Sequence, residues 1–110
     1  MRELDLQTLT DGSSVRNLSG YERGVAARVL FHLDELDREA EPVRVVVPRE
    51  VYTLTPSFFQ GMFSESVRAL GGDRSAFLAH YRFDASAVVM RQIDRGIETS
   101  SMRRGHLLAN

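Results

Sequence analysis

The apolar positions of this chain change period several times, and each change marks an element. Arg2–Leu9 alternates, with Leu4, Leu6 and Leu9 against Glu3, Asp5 and Gln7, the two-residue period of a short strand. Thr10–Asn17, rich in Asp, Gly and Ser, reads as a loop. From Ser19 the period becomes helical. Ser19 and Glu22 have the spacing of a capping box, and Tyr21, Val25, Val29 and Leu33 recur at four-residue steps to about Asp37. Ala26, Leu30 and Leu36 widen that stripe, which is expected to be buried. Glu22, Arg23, Arg28, His32 and Glu35 fall on the opposite, solvent-facing side.

After a polar connection at Arg38–Pro42, Val43–Val47 is a nearly continuous apolar run, as in a strand covered on both faces. Pro48 bends or ends it. Val51–Leu54 resumes strand character. Thr55-Pro56-Ser57 then opens a second helix, with Ser57 as its expected N-cap and Phe59, Met62, Phe63, Val67 and Leu70 as its apolar face. Gly71-Gly72-Asp73 stops that helix. Phe77–Phe83 alternates like a strand. Asp84 or Ser86 caps a third helix carrying Val89, Ile93 and Ile97, and the chain from residue 99 reads as a tail, loosest over Gly105–Asn110. The order is β-α-β-β-α-β-α. It predicts one α/β domain with its core at about residues 2–98, a mixed, mainly parallel sheet of about four strands, and three packed helices.

Composition narrows the chemistry. The sequence contains 110 residues, enough for one core, and no cysteine, which removes disulfides and thiolate chemistry. Net charge is −1, and all 14 basic residues are arginine. No global basic field draws the chain to nucleic acid. No apolar run is long enough to cross a membrane, and the first residues lack the apolar segment of a signal peptide. A cytoplasmic protein fits these features.

Catalytic patterns are missing. His32, His80 and His106 have no partner at metal-ligating spacing. Gly71-Gly72 lacks the Gly-Lys-Ser/Thr continuation of a phosphate loop. Glu50, His80 and Asp84 are the only tempting acid–base groups. Arg91, Arg95, Arg103 and Arg104 form at most a modest basic patch, with Asp94 and Glu98 beside them. The expectation is therefore a protein without catalytic, metal or cofactor sites.

The strand–turn–helix corner at Val43–Phe63 (VRVVVPREVYTLTPSFFQGMF), with Gly20–Leu33 (GYERGVAARVLFHL), resembles STAS domains. This is the fold of bacterial anti-sigma-factor antagonists, and the likeness is greatest to STAS-like domains of unassigned function in bacterial and mobile-element proteins. It covers about residues 18–98. The chain departs from that family where Val47 ends the central strand and Gln60-Gly61 follows the Ser-Phe pair. An acidic residue is common at both places, and Pro56-Ser57 stands where antagonists have an Asp-Ser-type corner. The resemblance implies a regulatory module that works by protein–protein contact. Its expected surface is the corner and the outer helix face, comprising Thr55, Ser57, Phe58, Gln60, Ser64 and Arg68, with Phe58 as anchor and Ser57 as a possible phosphorylation site. Implied partners are a kinase-like anti-sigma factor, or an ATPase or DNA-binding component. The alternative is a small phage- or mobile-element-encoded inhibitor or accessory subunit that binds a larger complex without a phosphoswitch. Oligomeric state is open, although an exposed edge strand at Arg2–Leu9 could pair two copies.

Overall fold

The computed structural model describes residues 1–10 and 16–109, with side chains described as far as Ser101. Three parallel strands, β1 (Arg2–Asp5), β3 (Val43–Val46) and β5 (Tyr81–Asp84), form one sheet with β3 in the middle. Two shorter parallel strands, β2 (Asn17–Leu18) and β4 (Thr53–Leu54), form a second. Among the described residues five α-helices accompany them: α1 (Tyr21–Leu30), α2 (Leu33–Arg38), α3 (Pro56–Ala69), α4 (Arg74–His80) and α5 (Ala87–Ala109). The α/β class and mainly parallel sheet are those the alternation of elements predicts. No described helix is long and apolar enough to cross a membrane.

Strand register separates two faces. Leu4, Val45 and Phe83 align across the main sheet, as do Val43 and Tyr81, and these residues meet the helices. The alternate row Glu3–Arg44–Arg82 is exposed. The continuous valine run of β3 therefore does not mean cover on both faces. Arg44 holds the open face by pairing with Asp84 at 2.6 Å and Glu3 at 3.2 Å. The core is aromatic at its centre. Phe59 and Phe63 of α3 pack against each other and against Phe77, Tyr81 and Phe83, in a ring cluster with centroid separations of 5.3–6.1 Å.

Several elements differ from the sequence reading for local reasons. Strand β1 is shorter than Arg2–Leu9, because Leu6–Thr10 turns into a 3₁₀ helix held by the Asp5 carboxylate accepting the Gln7 N–H. The pair β2 lies at the end of the expected Thr10–Asn17 loop, whose residues 11–15 lie outside the described set. Phe77–His80 is helical rather than extended. Asp73 accepts the Ser75 N–H, and the Asp73 carbonyl accepts the Phe77 N–H, so a helix starts where alternation alone suits a strand. Helix α5 runs to Ala109, through the stretch expected as a tail, and begins with Ser86 accepting the Val89 N–H.

The first predicted helix is two helices. His32 adopts the left-handed conformation (φ 55°) between α1 and α2, and α1 starts after Gly20 with no side-chain cap, so the Ser19–Glu22 box does not form. The inward face of α1 is also not the expected one. Gly24, Ala27 and Arg28 are buried, while Tyr21, Val25, Val29 and Leu30 are exposed. Backbone contact explains the rotation. A methyl group on Gly24 would lie 2.2 Å from the Phe58 carbonyl oxygen, and one on Gly61 would lie 2.1 Å from that of Tyr21. Helices α1 and α3 thus touch through two glycines, and the valine stripe cannot occupy that seam.

This contact predicts that Gly24→Ala and Gly61→Ala each lower stability, by about 1–3 kcal/mol or more, because backbone on both sides cannot yield. Elsewhere in a helix interior the same change stabilises by roughly 0.5–1 kcal/mol. Urea unfolding at neutral pH measures the sign, and a gain in stability would refute the close approach.

Candidate functional site

The Thr55–Gln60 corner is built by β4 and the start of α3. The Thr55 amide donates to the Leu18 carbonyl at 2.9 Å, which seats the corner beside the end of β2. Thr55, not Ser57, is the N-cap. Its hydroxyl accepts the Phe58 N–H at 3.2 Å, and Pro56 occupies the first helical position, where its missing N–H costs nothing. Ser57 is exposed, with its hydroxyl 3.1 Å from that of Thr55. A modifying enzyme would find it accessible, and a phosphate there would face the positive end of a 14-residue helix.

The six surface residues expected from the sequence divide into two groups. Ser57 and Arg68 are exposed, and Thr55 and Gln60 are half-buried. Phe58 is only 2% exposed, and Ser64 is buried as well. Phe58 cannot anchor a partner, because its ring packs under α1 beside Leu18 and Ala27 and lines a shallow apolar cleft of about 190 Å³. Exposed apolar groups come from α1 instead. Tyr21 is 54% and Val29 is 70% exposed, with Val25 between them and Leu30 at the edge of the cleft. The backbone of Tyr21 and Val25 meets α3 at Gly61, one turn beyond Ser57. The stripe and the corner therefore form one surface. The four-residue spacing of the stripe was legible in the sequence, but its outward orientation was not.

A second cluster sits under α1. Arg28, which the helical period assigns to the solvent side, is 6% exposed. Its Nη2 contacts Asp37 at 2.6 Å and Asp34 at 2.7 Å, and its Nε donates to Asp34 at 3.1 Å. Its Nη1 donates to the Met62 carbonyl at 3.0 Å and to Ser66 Oγ at 2.9 Å. A guanidinium has five N–H donors, and here all five are used. Asp37 accepts in turn from Ser66 (2.6 Å) and Tyr81 (2.5 Å) through its other oxygen. Burial alone would depress the Arg28 pKa, but the bonds to Asp37 and Asp34 outweigh it and hold the pKa above the ordinary value. Tyr81 is pushed well above the ordinary phenol range, first by burial and then by its bond to the Asp37 carboxylate. Both groups keep their protons, and no donor of the guanidinium is left for a ligand. The cluster is a structural clamp.

The remaining chemistry is dispersed. His80 Nε2 lies 2.7 Å from the Leu36 carbonyl, whereas Asp84 pairs with Arg44 and Arg49, so these two acid–base candidates share no partner. Among the described residues, no three His, Asp or Glu side chains gather as a metal site. Arg91 and Arg95 share their surface with Arg74, Asp94 and Glu98, and Arg74 pairs with Asp94 at 2.8 Å. The side chains of Arg103, Arg104 and His106 lie outside the described set.

The clamp makes two linked predictions. Asp37→Ala leaves the Arg28 charge buried with a missing partner and lowers stability by about 3–5 kcal/mol. Tyr81 is protonated in the fold, and its pKa there lies above the unfolded value of about 10. Its contribution is therefore complete below pH ~10 and lost as pH rises further. Tyr81→Phe should cost about 1.5–3 kcal/mol at neutral pH and flatten the loss of stability on the alkaline side. Urea titrations at a series of pH values measure both effects.

Comparison with known proteins finds no matching family model, no matching curated protein and no matching solved structure.

Proposed function

We propose that this chain is a non-catalytic, STAS-like regulatory module of the bacterial cytoplasm that acts by protein–protein contact. The observation that carries the reading is the α1 stripe, Tyr21, Val25 and Val29, lying exposed beside the accessible Ser57 at the corner. Contiguous apolar groups on a surface rimmed by polar ones mark interaction sites. Here the rim is Ser57, Gln60 and Arg68. The partner is a protein, of the kinase-like, ATPase or DNA-binding kind that the resemblance implies. Tyr21 takes the anchoring place expected of Phe58, since aromatic side chains dominate interface energetics.

The position of Ser57 supports partner switching. Its hydroxyl is not the helix cap, so a phosphate can be added without unfolding the corner, and the added charge lies within one turn of the apolar stripe. A purely steric inhibitor would use the stripe and ignore Ser57.

Affinity capture from a bacterial host, with wild type beside Tyr21→Asp, tests the surface. One partner should be retained by wild type and bind the folded variant on the order of thirtyfold more weakly. Equal binding by both would remove the stripe from the interface. With that partner in hand, Ser57→Glu should weaken binding and Ser57→Ala should not. Indifference to both would move the module to the steric-inhibitor reading.

A further inference from the structure

The shallow cleft beside the α1 stripe holds a charge that the fold leaves unused. Arg23, Ala26, Ala27 and Leu30 form one wall, at the i, i+3, i+4 and i+7 positions of a single helix face. The cleft therefore follows α1 for two turns, about 10 Å. Leu9 of the 3₁₀ helix and Leu18 of β2 form the other wall, and the buried Phe58 lies between them. Arg23 is the one charged residue among the described ones that line it. It is exposed and, unlike Arg28, bonds to no other group. Glu22, its neighbour in sequence, lies about 100° away around the helix and does not line the cleft.

We infer that this cleft receives an amphipathic helix of the partner protein, with a large apolar side chain seated at Ala26 and Ala27 and an aspartate or glutamate one turn away on Arg23. The inference rests on the reading above and names the element of the partner that is recognised. Arg23 and Ala27 are themselves one turn apart, so a helix lying along α1 meets both with residues at i and i+3 or i+4. A free guanidinium beside an apolar floor favours a carboxylate and disfavours a basic group.

Volume and sequence argue against the other occupants. The cleft measures about 190 Å³, below the roughly 300–1,000 Å³ of small-molecule sites, and it suits an inserted side chain. A second copy of this chain offers less. Of the exposed apolar residues on α1, only Val25 has a carboxylate one turn away in the same helix, Glu22, and valine is small for the cleft.

The full chain, labelled with nitrogen-15, is titrated with a synthetic alanine-based helical peptide. The peptide carries one phenylalanine with a glutamate one turn to each side, so either chain direction brings a carboxylate to Arg23. Saturable amide shifts at Ala26, Ala27 and Leu30 are expected. A peptide with lysine in place of glutamate should bind on the order of tenfold more weakly, and Arg23→Glu should reverse that preference. Ala26→Phe, at an exposed position, fills the cleft and should abolish binding with unchanged thermal unfolding. No saturable shifts, or equal binding of the two peptides, would overturn the inference. So would 4-phenylbutyrate binding as tightly as the peptide, in favour of a small ligand, or self-association that Arg23→Glu abolishes, in favour of a second copy. If the peptide fails while partner capture still depends on Tyr21, this inference falls and the stripe stands. If the peptide binds and Tyr21 proves indifferent, the cleft stands and the stripe falls.

Discussion

The buried ion pair between Arg28 and Asp37 sets the terms for the rest of the molecule. A guanidinium under a helix is tolerable only when its donors are matched, because an unpaired buried charge costs several kcal/mol. The matching groups come from α2 (Asp34, Asp37) and α3 (Met62 carbonyl, Ser66), and Tyr81 of β5 donates to the other oxygen of Asp37. The pair therefore joins four elements, the neighbours α1 and α2 with the distant α3 and β5. A hydrophobic patch permits sliding, whereas a saturated hydrogen-bond set has one geometry. The position of α1 against α3 is accordingly specified to a fraction of a helical turn.

That specification has a surface consequence. With Arg28 inward and Gly24 against Gly61, the remaining arc of α1 must point out, and it carries Tyr21, Val25, Val29 and Leu30. These apolar side chains are exposed because Gly24, Ala27 and Arg28 took the inner face. The main sheet shows a similar asymmetry. Its buried rows meet the helices, and its outer row, Glu3–Arg44–Arg82, is charged across all three strands. Parallel sheets are normally covered on both faces, and here salt-bridged side chains in water replace the second layer.

The buried polar groups around Arg28 are thus spent on structure. Tyr81, Ser66, Asp37 and Arg28 have the residue types of an active site, yet each one satisfies another, and Arg28 and Tyr81 keep their protons. Contact area lies open at the apolar stripe beside the accessible Ser57.

The sequence by itself determined the class of fold. The change between two-residue and helical periods, the valine run at Val43–Val47, the Thr-Pro-Ser corner and the paired glycines after α3 are local signals, and local backbone physics decides them. It also bounded the chemistry through the missing cysteine and lysine. Only the tertiary structure decided orientation. Whether Tyr21 or Arg28 faces inward depends on what α3 and β5 present to α1, and a helical period states a spacing but not a direction. Phe58 is buried for the same reason, because α1 covers it. Phe77–His80 alternates like a strand but is captured as a helix by the Asp73 cap, where two local signals competed. The clamp could not be read at all, since its residues are up to 53 positions apart in sequence, from Arg28 to Tyr81, and meet only when the chain has folded.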